Sequence, residues 1–196
     1  MWNHGIYFSM GILKLPQLLL IAGNGRDSGK TALACLIIQK FSPDHQIIAL
    51  KISPHNHRIA AGGKVIFDKE NLYIAEETDA GTGKDSSRML QAGAGRSFFI
   101  CSTEDQLPVA MDKILALADD HTLLVCESGG MRRFAEPGLF FIVDRFGREG
   151  IKPGTQNLRQ FENIWLTFDG RQFNLNLNEI VIHNNNWKKI TDHDIV

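Results

Sequence analysis

Apolar residues in this chain cluster in short continuous runs instead of alternating one by one with polar residues. The clearest are residues 17–22 (QLLLIA), 46–52 (QIIALKI), 96–102 (RSFFICS), 122–126 (TLLVC), 138–144 (GLFFIVD) and 164–168 (IWLTF). Runs of this length and composition suit strands buried on both faces, the situation inside a parallel sheet. Between them lie segments long enough for helices, at residues 32–41 (ALACLIIQKF), about 85–92 and 107–118. For the middle one, Asp85 or Ser86 is a candidate N-cap and Gly93 a stop. Strands alternating with helices predict an α/β fold built on a mostly parallel sheet. Residues 64–67 and 71–76, joined by Asp68-Lys69-Glu70, predict a small hairpin inserted into that scheme. After residue 170 the alternation weakens and Asn184-Asn185-Asn186 marks no obvious element. No repeat or linker divides the chain, so residues 15–196 read as one domain preceded by an extension, residues 1–14, of uncertain order.

Composition narrows the function classes. A chain of 196 residues buries enough surface to fold without disulfides or structural metal. Its 43% hydrophobic and 22% charged content excludes disorder. Twenty-one Lys and Arg against 22 Asp and Glu leave a net charge of −1, so no bulk field draws nucleic acid or an anionic membrane, and neither is expected as a partner. Any bound anion must be held by a local site. No apolar run approaches the ~18 residues of a membrane span, and the first fifteen residues lack the basic start and cleavage site of a signal peptide. Cys35, Cys101 and Cys126 are far apart, odd in number and embedded in apolar runs, which predicts buried thiols and a cytoplasmic, reducing location.

The first strand runs into Gly23-Asn24-Gly25-Arg26-Asp27-Ser28-Gly29-Lys30-Thr31 and then a helix beginning near Ala32, the order required of a P-loop. Each part has a task. Glycines let backbone N–H groups turn inward around phosphate oxygens. The helix start adds free amides and partial positive charge. Lys30 reaches the terminal phosphates, and the Thr31 hydroxyl ligates Mg²⁺. The spacing is Gly-x5-Gly-Lys-Thr, one residue longer than the common form, unless Asn24 supplies the left-handed turn.

Such a site needs a carboxylate beside Thr31, and Glu127 closes a buried strand at the sheet edge where ligands bind in open α/β sheets. The plainer alternative is a solvated strand-end Glu. Asp27 either meets magnesium or substrate or caps the helix. Lys30, Glu127 and Asp27 are therefore the candidates for chemistry, and Thr31 and Glu127 the metal ligands. Lys51, ending the second strand, and Lys84-Asp85, after Gly81-Thr82-Gly83, are further nucleotide-contact candidates. Arg132 and Arg133 either meet an anionic ligand or form a solvated pair. His55 and His57 make a His-x-His without a third ligand, which favours a polar loop over a metal site. No Asn/Thr-Lys-x-Asp motif identifies the base.

The chain resembles the P-loop proteins of the MobB type, adapters in molybdopterin-guanine dinucleotide biosynthesis. Four segments carry the resemblance: residues 23–31, 51–57 (KISPHNH), 83–94 (GKDSSRMLQAGA) and 123–128 (LLVCES). It implies a P-loop NTPase-like three-layer sandwich, a homodimer, Mg²⁺ and GTP (or ATP) binding with weak hydrolysis, and help to the guanylyltransferase that attaches GMP to molybdopterin. The longer loop is similar instead to that of dethiobiotin synthetases. That points to a second reading, a P-loop kinase or ATP-dependent ligase in which Asp27, Lys51 and Arg132 handle a small acidic substrate. Residues 64–80 and the Asn-rich tail match neither pattern.

Overall fold

The computed structural model describes residues 11–54 and 63–190. Its strands are β1 (Leu13–Gly23), β2 (Ile47–Ser53), β3 (Gly63–Lys69), β4 (Leu72–Glu77), β5 (Arg96–Ser102), β6 (Leu123–Glu127), β7 (Ala135–Arg145), β8 (Ile164–Phe168), β9 (Ile180–His183) and β10 (Asn186–Lys189). The α-helices are α1 (Lys30–Phe41), α2 (Asp85–Gln91), α3 (Leu107–Leu115) and α4 (Pro153–Leu158). Eight strands form one sheet in the order β3-β4-β5-β2-β6-β1-β7-β8. All pairings from β5 to β8 across this order are parallel, and only the β3–β4 and β4–β5 pairings are antiparallel. The expected α/β class, mostly parallel sheet and hairpin insertion are all present.

The continuous apolar runs have a direct cause. Along β1, Leu18, Leu20 and Ala22 face a core completed by Leu107, Ala110, Met111 and Ile114 of α3. The intervening Leu19 and Ile21 face a second core with Leu33, Ile37 and Ile38 of α1 and Met89 of α2. Both faces are covered, so no strand position can be polar without cost, and the arrangement is compatible with three layers.

Three expectations shift. β1 begins at Leu13, which pairs with Ala135, and not at residue 17. Pro16 interrupts the apolar pattern, and the ladder accommodates it with a register shift between Leu15 and Leu19. The tail forms a β9–β10 hairpin, turned by Asn184 (φ 51°) and Asn185 (φ 59°). Two consecutive left-handed residues are what a tight hairpin turn demands, and Asn tolerates them. This hairpin puts Trp187 edge-on against Phe41 at 5.0 Å between ring centres, beneath α1. Third, α3 stops at Leu115, short of residue 118.

Because β2, β6, β1, β7 and β8 are parallel, their C-terminal ends share one edge. β1 lies between β6 and β7; the chain leaves it for β2 on one side and passes from β6 to β7 across it. Such a reversal opens a crevice at that edge. No helix among the described residues is long and apolar enough to cross a membrane.

Candidate functional site

The loop after β1 occupies this crevice. Gly25 (φ 101°), Asp27 (φ 54°) and Gly29 (φ 96°) are left-handed at alternate positions, the kind of alternation from which anion nests are built, while the Asn24 and Gly25 amides are already paired with the Val143 and Gly23 carbonyls. Asn24 is not left-handed, so the alternative in which it supplies the turn does not hold. Asn24 is instead a fully buried anchor: its Nδ2 donates to Asp144 Oδ1 (3.1 Å) and the Gly150 carbonyl (2.9 Å), while its Oδ1 accepts from the Lys152 amide (2.9 Å). The Asn24 side chain therefore ties the loop to the end of β7 and to the segment after it. Arg148 adds a bond to the Arg26 carbonyl at 2.8 Å.

The N-cap of α1 is Gly29, with no side-chain cap. Asp27 is exposed on the cleft wall and does not cap the helix, which removes one of its two readings. Gly29 must be glycine for a second reason: a Cβ there would lie 2.6 Å from the Phe168 ring. Ser28 is buried, and Lys30 folds back so that Nζ donates to the Gly25 carbonyl (2.8 Å) and Ser28 Oγ (3.3 Å). Burial lowers the Lys30 pKa, with nearby Glu127 opposing the shift.

Next to the loop, β-sheet register sets the chemistry. Ile21 lies opposite Glu127 in the β1–β6 ladder and Lys51 opposite Glu127 in the β2–β6 ladder, so three strand ends meet. The Thr31 hydroxyl lies 2.7 Å from Glu127 Oε2 and 3.0 Å from Asp85 Oδ1. Lys51 Nζ reaches Asp85 Oδ2 at 2.7 Å and Glu127 Oε1 at 2.5 Å. Glu127 is only 2% exposed, so the solvated strand-end alternative does not hold. Asp85 does not cap α2: the N-cap is Lys84, and the carboxylate turns to Lys51 and Thr31. Burial alone would raise the Asp85 pKa and lower that of Lys51. Their mutual contact, and for Lys51 also Glu127, reverses both, so Asp85 ionises below and Lys51 above its ordinary range. Two carboxylates and a hydroxyl form a hard-oxygen set of the kind Mg²⁺ takes beside phosphate oxygens.

The cleft encloses about 440 Å³. Of the candidates, Arg26, Gly29, Lys30, Thr31, Ala32, Lys51, Asp85 and Glu127 line it, with Asp27 at its wall, and Gly23, Asn24, Gly25 and Ser28 do not. Arg88, Arg145 and Phe168 also line it and escaped sequence reasoning. Their signals were weak: Arg145 and Phe168 end β7 and β8, and Arg88 follows Asp85 by three residues on one helix. Lys84 is exposed and not among the lining residues. Arg132 and Arg133 are not in the cleft either. Arg132 is buried against the Phe161 ring, 4.5 Å from its centre, and donates to the Ala135 carbonyl; Arg133 pairs with Glu104. His55 and His57 lie outside the described residues. Five cationic side chains (Arg26, Lys30, Lys51, Arg88, Arg145) against three carboxylates (Asp27, Asp85, Glu127) make the lining net positive.

Comparison of the chain with protein-family models, with curated proteins and with solved structures found no match.

Proposed function

We propose that this protein binds a magnesium–nucleoside triphosphate at the 23–31 loop, in a P-loop NTPase-like fold. One observation carries the reading: the Thr31 hydroxyl sits against the Glu127 and Asp85 carboxylates at the mouth of a loop with alternating left-handed residues. The loop amides and Lys30 would hold the phosphate chain, with Ala32 at the start of α1 beside it. Thr31, Glu127 and Asp85 would hold Mg²⁺, which when bound neutralises charge on the terminal phosphates. Asp27, exposed at the wall, is the carboxylate left to orient water, in keeping with weak hydrolysis. GTP as the nucleotide, a homodimer, and an adapter role beside the guanylyltransferase of molybdenum cofactor synthesis rest on the four segments that resemble MobB-type proteins.

The dethiobiotin synthetase-like alternative, a kinase or ligase using ATP, is supported by the surplus of cations and by Arg88 and Lys51 lying together next to the loop, where a small acid would fit. Arg132 takes no part in it. A calorimetric titration of GTP, ATP and their diphosphates, with and without Mg²⁺, separates the nucleotides. Lys30→Ala should weaken triphosphate binding about 10- to 100-fold, the value of one charge-assisted contact; equal affinity would overturn the assignment. Hydrolysis stimulated by small dicarboxylic acids would favour the enzyme, and stimulation by the guanylyltransferase the adapter.

A further inference from the structure

Four side chains at the cleft floor close a ring. Thr31 Oγ1 meets Glu127 Oε2 (2.7 Å) and Asp85 Oδ1 (3.0 Å); Lys51 Nζ meets the other oxygen of each, Glu127 Oε1 and Asp85 Oδ2, at 2.5 and 2.7 Å. All four carboxylate oxygens therefore lie within hydrogen-bonding distance of the Thr31 hydroxyl or the Lys51 ammonium, the one hydroxyl hydrogen serving a single carboxylate at a time. Lys30 does not share in this: its ammonium turns to the Gly25 carbonyl and Ser28 hydroxyl, where phosphate would lie. The two lysines close the two halves of the site separately. The Lys51 side chain is 19% exposed, that of Glu127 only 3% and that of Asp85 37%, so solvent and salt screen the Lys51–Glu127 attraction weakly and the Lys51–Asp85 attraction more.

We propose that Lys51, paired with both Glu127 and Asp85, holds the position of a divalent ion and excludes it until a triphosphate arrives. The inference rests on the proposed function for its physiological meaning, but its geometry does not. The ring carries two negative charges and one positive, and the Arg88 guanidinium stands just outside it, 3.8 Å from Asp85 Oδ1. A divalent ion entering beside the ammonium would face it across the same oxygens, at a repulsion that grows as water is excluded. A triphosphate brings its own negative charge and offers the displaced ammonium a new partner. Metal and nucleotide then bind as one unit, and the free protein binds magnesium only weakly. Lys51 acts on the metal by position and charge, not by touching reacting atoms, so it is a positioning residue here.

Manganese, which electron paramagnetic resonance detects directly, tests this without nucleotide. The wild-type protein alone should bind Mn²⁺ only weakly. Lys51→Met and Lys51→Gln should each bind it at least about tenfold more tightly, since a full opposing charge is removed from a poorly screened site. Adding Asp85→Asn to either variant should abolish the gain. Either variant should also regain thermal stability with added Mn²⁺, while the wild type should not move. Tight Mn²⁺ binding by the nucleotide-free wild type would overturn the proposal. So would equal curves for all proteins, or variants that remain unfolded at every Mn²⁺ concentration, because the metal is expected to replace the ammonium. If instead triphosphates fail to bind the wild type with magnesium present, the nucleotide reading falls while the Mn²⁺ comparison still stands.

Discussion

Asn24→Asp is a sharp probe of how the loop is held, because it changes one atom and no volume. The oxygen of Asn24 that accepts from the Lys152 amide at 2.9 Å is kept. The nitrogen that donates to Asp144 Oδ1 at 3.1 Å and the Gly150 carbonyl at 2.9 Å becomes an acceptor facing two acceptors. Two lost hydrogen bonds at roughly 1 kcal/mol each set a lower bound of about 2 kcal/mol. The upper bound comes from an escape route: the new carboxyl takes up a proton and its single O–H remakes one of the two bonds. For a group that ionises near 4, this costs roughly 4 kcal/mol at pH 7, at ~1.36 kcal/mol per unit, with about 1 kcal/mol more for the bond not remade. A loss of about 2–5 kcal/mol should lower the melting temperature by roughly 4–20 °C for a domain of this size. The sign with pH follows from the same route. The introduced carboxyl has a raised folded pKa, so the ionisation part of the penalty is absent below its unfolded value and grows as pH rises above it, while the one bond a carboxyl O–H does not remake is lost at every pH. At pH 5 the escape costs only about 1.4 kcal/mol, and the gap from wild type should narrow. Thermal unfolding followed by circular dichroism at pH 5 and 7, wild type beside variant, measures both quantities. An unchanged melting temperature, or a gap that is equal at both pH values, would refute the view that the Asn24 donor anchors the loop.

Glu127→Gln should raise the magnesium needed for triphosphate binding about tenfold or more while altering magnesium-free binding little; superimposable magnesium titrations would count against Glu127 as a ligand. Gly29→Ala places a Cβ at φ 96° and 2.6 Å from the Phe168 ring, so it should cost at least about 1–3 kcal/mol. Combining it with Phe168→Ala should recover the steric part and leave the backbone part, which a double-mutant cycle in urea unfolding would reveal. Arg96 binds Glu76 through two nitrogens at 2.6 and 2.9 Å and holds its carboxyl below the ordinary range. That stabilisation is present above the usual carboxylate pKa and lost as pH falls through the lowered one. Glu76→Gln should therefore cost about 1 kcal/mol at pH 7 and almost nothing at pH 3, read from urea midpoints.

The loop shows where reading residues succeeds and where it stops. Gly23, Gly29, Lys30 and Thr31 announce themselves because their types are restricted by backbone conformation and charge. Asn24 and Asp27 do not, since either can cap, turn or anchor, and only the packing of the segment after β7 makes Asn24 an anchor. Asp85 looked like a helix cap because local capping is the commonest use of an Asp at that place. A lysine 34 positions earlier in the chain outcompetes the helix amides for it. Arg132 looked available for an anion, yet the turn after Gly130 carries it onto Phe161.

The apolar runs alone determined that this chain builds strands buried on both faces, hence an α/β protein with a largely parallel sheet, because two covered faces leave no polar positions. The strand–loop–Gly-Lys-Thr–helix order determined where an anion would sit, since that depends on residues adjacent in the chain. What only the tertiary structure decided depends on strand order and register. Placing β6 between β1 and β2 brought Thr31, Lys51 and Glu127 within bonding distance, and α2 delivered Asp85 to the same point. Register is a property of pairs of strands, fixed by which faces two cores bury, and a one-residue slip would have turned Glu127 away from Lys51.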